Sequence, residues 1–174
     1  GCVEFYNRCR SQEVKPILGC EVYVDPNGYT CREGKNQYHL ILLAENEEGY
    51  HNLMRIVSVA NTDGFYYKPR IDHELLAKHS KGLIGASACL GGEIPSLIMK
   101  GDNEGALSRA ALYRDILGDG NFFLELQHNS IPEQAIVNKR LIEIARKENF
   151  PLIATNDVHY MRKTDAEWHD VLLC

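Results

Sequence analysis

The sequence predicts an α/β domain with a parallel sheet and helical crossovers. Three observations carry this. Short β-rich apolar runs of four to eight residues alternate with amphipathic helical segments. Cap and turn residues stand between them, and no repeat, low-complexity tract or linker interrupts the series.

Val3 to Gln12 reads as a helix, with Val3, Phe5, Tyr6 and Cys9 on one face. Lys15 to Val24 follows as a β-rich run opened by Pro16. Asp25-Pro26-Asn27-Gly28 is turn chemistry, and a polar loop extends to Asn36. Gln37 to Ala44 is the next strand. Asn46 caps a helix through Leu53, Val57 and Ala60, with Glu47 and Glu48 in its first turn.

Asp72 caps a shorter helix ending near His79, and Leu83 to Ser87 is a buried strand. Helices follow around Ile94 to Met99 and from Glu104 to Leu117, then a strand at Phe122 to Leu126. Pro132 sits at the first turn of a helix from Glu133 to Glu148, with Ile136, Val137, Leu141, Ile144 and Ala145 as its apolar face. Pro151 to Thr155 is the last strand, and Thr164 caps a C-terminal helix.

The 174 residues match one ordinary domain, with 44% hydrophobic and 25% charged residues. No apolar run reaches the length of a membrane span, and Glu4 and Arg8 exclude a secretory signal from the first ten residues. A soluble, cytoplasmic protein is expected. The net charge of −5 excludes a segment whose main task is gripping phosphate backbone. The six cysteines form no CxxC pair, so free thiols in a reducing compartment are expected.

Potential metal ligands recur around the strands. Glu21 lies within the first run and His39 at the start of the second; Cys89 and Asp157-x-His159 follow later strands. Both sheet arrangements available to such a chain place functional residues at strand C-termini. On an extended segment residues i and i+2 face one side, so Asp157 and His159 are expected to face one pocket. Carboxylate, imidazole and thiolate together form a zinc or manganese donor set.

Each residue alone has a blander reading. Glu21 reads as a solvated edge carboxylate, His39 as a hydrogen-bonded core histidine, Cys89 as an inert thiol and Asp157 as a turn cap. Their coincidence near strand ends raises the joint reading. His128 is a lesser candidate. His51, His73 and His79 read as surface residues on helices, and His169 as structural. No P-loop, GxGxxG or GxSxG motif is present.

The segments KPILGCEVYV (15–24), YHLILLA (38–44), GFYYKPRID (64–72), SACLGGEIP (87–95), IPEQ (131–134) and ATNDVHY (154–160) resemble the PHP (polymerase and histidinol phosphatase) domain of the bacterial polymerase III alpha subunit family. The similarity runs in order along essentially the whole chain. It implies a distorted (β/α)7 barrel with a metal cluster at its C-terminal mouth. Glu21, His39, Cys89, Asp157 and His159 would take ligand positions, with Glu21 bridging two ions. The cofactor implied is zinc or manganese, two or three ions in a complete domain.

The family pattern opens with an HxH strand and an Asp-His-Gly segment, neither of which occurs here. Residues 1–174 are therefore expected to be one PHP domain fragment, a partial barrel lacking its first strands. The Gln127-His128-Asn129-Ser130 segment departs from the many relatives that carry a His one position later. The resemblance implies a replicative DNA polymerase as parent. Its metal-binding domain would support 3′–5′ exonuclease proofreading or scaffold the polymerase. The implied partners are the remainder of the polymerase chain, a DNA 3′ end reached through it, a proofreading subunit and other replisome proteins. The fragment alone is expected to be inactive. A free-standing phosphoesterase similar to histidinol phosphatase and a non-catalytic structural module are the alternatives.

Overall fold

The structure is a computed structural model that describes residues 1–34 and 37–173. The end of the polar loop, at Lys35 and Asn36, and the Cys174 thiol lie outside the described residues. The elements in order are α1 (Cys2–Ser11), β1 (Gly19–Val24), β2 (Tyr38–Ala44), α2 (Glu47–Thr62), β3 (Phe65–Tyr66), β4 (Lys68–Ile71), α3 (His73–Lys78) and β5 (Leu83–Ala86). They continue with α4 (Glu93–Met99), α5 (Asn103–Leu117), β6 (Phe122–Gln127), α6 (Pro132–Glu148), β7 (Leu152–Thr155), a 3-10 turn (Lys163–Asp165) and α7 (Ala166–Leu173).

The described strands form one open sheet in the order β3-β4-β1-β2-β5-β6-β7. It is mixed rather than parallel. β4, β1, β5, β6 and β7 run one way, whereas β2 is antiparallel to both β1 and β5, and β3 is antiparallel to β4. The reason lies in the β1–β2 connection, whose described residues contain no helix. A parallel return requires a crossover of a dozen or more residues, usually helical. The open sheet with helices fits a partial barrel of the expected kind.

Asn46 caps α2 through its side chain, which accepts from the Gly49 N–H at 3.0 Å, and Asp72 caps α3 by accepting from the Leu75 N–H at 2.8 Å. Pro132 opens α6 at the position where its missing N–H costs nothing. Thr164 does not cap α7. It lies inside the 3-10 turn, where Asp165 accepts from the Arg162 N–H.

Val22 and Val24 of β1 and Leu40 and Leu42 of β2 point to the core with Leu53 and Ile56 of α2. Leu124 of β6 and Val137 and Leu141 of α6 extend the same core. Each such buried side chain contributes roughly 1.5–3 kcal/mol. Ile136, expected on the buried face of α6, is exposed instead; that face is Val137, Leu141, Ile144 and Ala145. α1 has no buried residue. By alternation, Glu21 and Tyr23 share the other sheet face with His39 and Ile41.

The start of α2 abuts the turn before β5. A Cβ on Gly49 would lie 1.7 Å from the Gly82 carbonyl oxygen. Gly82 has φ +71 and its own Cβ would meet the Asn46 cap at 2.5 Å. Gly49→Ala is therefore expected to cost about 2–3 kcal/mol through overpacking, and Asn46→Ala about 1 kcal/mol through the lost cap. Urea unfolding of both variants checks this; equal costs would contradict the packing argument.

Candidate metal centre

The strand directions set the site. β1, β5, β6 and β7 are parallel, so their C-terminal ends share one edge of the sheet, and antiparallel β2 brings its N-terminal end there. His39 stands at that end of β2, Cys89 in the turn after β5, and Asp157 and His159 after β7.

Glu21 and His39 are diagonal cross-strand neighbours, since Tyr23 pairs with His39 and Glu21 with Ile41. Glu21 Oε1 lies 3.3 Å from His39 Nδ1, with both side chains about one-third exposed. Cys89 Sγ lies 3.5 Å from the same nitrogen. The Cys89 turn is pinned by the backbone: Gly92 N–H donates to the Cys89 carbonyl at 2.9 Å, and His39 N–H donates to the Gly91 carbonyl at 3.0 Å. A Cβ at Gly92 would come 2.1 Å from the Ser87 carbonyl oxygen, so only glycine permits this close approach.

Burial pushes the Cys89 thiol pKa above the ordinary cysteine value. The Asp157 and Glu21 carboxylates push the same way, while the Gly91 backbone hydrogen bond opposes them. The Asp157 charge thus reaches the Cys89 thiol. Asp157 does not sit on an extended segment, however. β7 ends at Thr155, and Asp157 adopts φ +50, a left-handed conformation that a short polar side chain tolerates. The extended-strand premise therefore fails, although Asp157 and His159 do line one pocket, together with Tyr160 and His169. His159 is exposed, its Nδ1 lies 2.7 Å from the Asp157 carbonyl oxygen, and its ring meets His169 edge-on at 5.7 Å. His169 is thus a neighbour of His159, beyond its structural reading.

His128 is exposed and lines a separate small pocket with Gln127, Asn129, Ile131 and Gln134. His51 is exposed. His73 is not a surface residue. Its side chain is 14% exposed, and its Nε2 lies 3.1 Å from Glu93 Oε2 and 3.3 Å from the Tyr113 hydroxyl.

Tetrahedral bonds of about 2.0–2.3 Å place adjacent donors roughly 3.3–3.7 Å apart. The Glu21–His39 and His39–Cys89 contacts match that spacing on two edges, and the donor chemistry suits a zinc- or manganese-type ion. Among the described residues, however, no group of three or more His, Cys, Asp or Glu side chains is arranged to hold a metal ion, so the two matching contacts stand as pairs that share His39.

Two carboxylates near this edge escape a reading by residue type. Glu125 of β6 is buried; its Oε2 accepts the Ala88 N–H at 3.1 Å, and its Oε1 accepts from Gln127 Nε2 at 3.1 Å and from the Thr155 hydroxyl. Glu93, first in α4, is buried against His73, Tyr113 and Arg109. The available signal is a carboxylate inside an apolar strand, FFLEL (122–126), and another in the first turn after GG (91–92).

Residues 1–129 match the PHP domain family. The match includes Glu21, His39, Cys89 and His128 and stops before Asp157 and His159. The chain is 44% identical to the DNA polymerase III subunit alpha of Treponema pallidum over 178 residues, covering 100% of this chain and 15% of that protein. It is 46% identical to the subunit of the same name from Deinococcus radiodurans, covering 99% of this chain and 13% of the relative. For Thermus aquaticus the identity is again 46%, over 99% of this chain and 14% of the relative. The chain therefore spans only about a seventh of the length of these curated relatives, while they match it from end to end. With the family match over residues 1–129 and similarity to these relatives along its whole length, the chain belongs to the PHP domain family.

Proposed function

We propose that this chain is part of the PHP domain of a bacterial replicative DNA polymerase, and that it binds divalent metal ions, zinc or manganese. The contact of Glu21, His39 and Cys89 at the sheet edge is the observation that carries the metal reading. The end-to-end similarity to polymerase subunits supports the polymerase parent over a free-standing phosphoesterase similar to histidinol phosphatase.

Glu21, His39, Cys89, Asp157 and His159 would hold the ions. A bound divalent ion lowers the pKa of its water and clamps a phosphate, the chemistry needed to hydrolyse a 3′-terminal nucleotide. The chain's own part is to present donors. His39 offers Nδ1 between a carboxylate and a thiol, and Cys89 must give up its proton to ligate. His159 Nδ1 faces the Asp157 carbonyl oxygen, which leaves Nε2 as the nitrogen that would ligate. The partners proposed are the remainder of the polymerase chain, the DNA 3′ end presented through it, and a proofreading subunit with other replisome proteins.

The test uses the full native polypeptide. Metal content is measured together with release of a 3′-terminal nucleotide, with and without chelator. Chelator-sensitive release is expected, and His39→Ala and Asp157→Ala should each lower it by about 100-fold or more, since even residues that only orient ligands cost 10–100-fold. The 174-residue chain alone should show little release. Full-length protein that takes up no metal and hydrolyses nothing, yet still polymerises, would replace the exonuclease reading with the scaffold.

A further inference from the structure

We propose that Glu125 is the positioning residue that holds Cys89 and the Asp157 turn in place at the sheet edge. The metal role of those two residues rests on the reading above, but the positioning itself can be measured without metal.

One carboxylate joins three strand ends. Its Oε2 accepts the N–H of Ala88, immediately before Cys89. Its Oε1 accepts the hydroxyl of Thr155, two residues before Asp157, and the side-chain amide of Gln127 on β6 itself. The Glu125 N–H donates to Ser87 Oγ at 2.9 Å, so the β5–β6 seam is tied twice. Glu125 is 4% exposed, and no Lys, Arg or His among the described residues is ion-paired with it. A buried carboxylate without a cation is costly and persists where donors converge on it.

Left-handed backbone sits at one residue that Glu125 grips, Ala88, and two residues beyond the other, Thr155. Ala88 has φ +61 and Asp157 has φ +50, two of six non-glycine residues with positive φ among the described residues. Such conformations persist only where surrounding contacts over-determine them, and they cluster at functional sites. Here the Ala88 hydrogen bond fixes the first turn, and the Thr155 hydrogen bond fixes the strand end leading into the second.

Substitutions separate geometry from charge. Glu125→Met removes every acceptor, leaving the Ala88 N–H and the Thr155 hydroxyl without their partner. Glu125→Gln keeps an oxygen for Ala88, and its amide can donate to a rotated Thr155 hydroxyl. It can also donate to a flipped Gln127, whose Oε1 is buried without a partner among the described residues. Gln should therefore rescue what Met loses.

The experiment uses the full native polypeptide. The first readout is metal-free alkylation of Cys89, taken as the difference from Cys89→Ser. The second is the cobalt(II)–thiolate absorption band, again against Cys89→Ser. Glu125→Met should speed alkylation about tenfold and weaken cobalt binding 10–100-fold, with Glu125→Gln within about threefold of wild type on both. If Met alkylates like wild type, or Gln behaves like Met, the positioning role is overturned. If wild type shows no cobalt–thiolate band while alkylation still separates Met from Gln, the metal reading fails and the positioning survives. Should Glu125→Met not fold, Thr155→Val removes one grip and must still speed alkylation; an unchanged rate overturns the proposal.

Discussion

Asp25→Ala is expected to destabilise the fold by about 3–5 kcal/mol, among the largest losses available to a single side chain here. Asp25 Oδ2 lies 2.6 Å from Arg70 Nη1, and both side chains are 0% exposed. The guanidinium also donates to the carbonyls of Tyr29 at 3.2 Å and Cys31 at 2.5 Å, and it lies over the Tyr66 ring. Asp25 in turn accepts the Asn27 N–H at 3.0 Å, which builds the turn after β1. The pair thus locks the β1 exit, the following loop and β4 into one unit.

Removing Asp25 leaves a fully buried guanidinium with only carbonyl partners. Replacing both partners, Asp25→Leu with Arg70→Met, should recover a large part of the loss, because no charge then stays buried. In a chain of this size the single substitution should lower Tm by roughly 6–20 °C. Denaturant titration of the two single variants and the double gives the coupling. A loss below about 1 kcal/mol for Asp25→Ala would mean that water reaches the pair.

This pair also shows where reading the sequence runs out. Asp25 is legible as the first residue of a turn because turn chemistry is local. Its partner is 45 positions away, and nothing near Arg70 announces it. The caps at Asn46, Asp72 and Pro132 are legible for the same local reason. β3 and β4 are not: they have two and four residues, Pro69 lies inside β4, and Tyr67 between them has φ +63. β4 is a strand because β1 offers an edge, and β3 because β4 then offers the next one.

The antiparallel placement of β2 is legible in hindsight, since no helical pattern fills the segment between Val24 and Tyr38. At the candidate site, donor types are what single out Glu21, His39, Cys89 and Asp157 in the sequence, whereas the left-handed conformation at Asp157 is not legible there. Glu125, Glu93 and His73 escape notice because their roles come from pairing across the chain. A histidine among charged helix residues reads as solvated until a buried carboxylate is found facing it.

Glu93→Ala is expected to cost about 3–5 kcal/mol and to loosen the Cys89 turn as well. Glu93 Oε1 lies 2.9 Å from Arg109 Nε, and Oε2 accepts the Tyr113 hydroxyl at 2.8 Å and faces His73 Nε2. This one carboxylate draws together the starts of α3 and α4 and the middle of α5. It is also the first residue of α4, directly after the glycines that close the Cys89 turn. Its removal strands a buried hydroxyl and a partly buried guanidinium, the situation that makes broken buried pairs expensive.

The same network predicts a pH signature with a definite sign. Burial, then the Glu93 charge and hydrogen bond, holds the Tyr113 pKa well above the ordinary tyrosine value. A raised folded pKa contributes stability that is complete below the unfolded value, about pH 10, and is lost as pH rises beyond it toward the folded value. Tyr113→Phe loses the hydrogen bond, about 1 kcal/mol at pH 8, but has no phenol to keep protonated. Unfolding from pH 8 to 11.5 should therefore show wild type falling toward Tyr113→Phe by up to about 1.4 kcal/mol per pH unit above 10, with the two meeting near pH 11. A constant gap across that range would show that Tyr113 ionises freely in the fold. In that event Glu93 is not the closed hub that its contacts describe, and its removal should leave the Cys89 turn undisturbed.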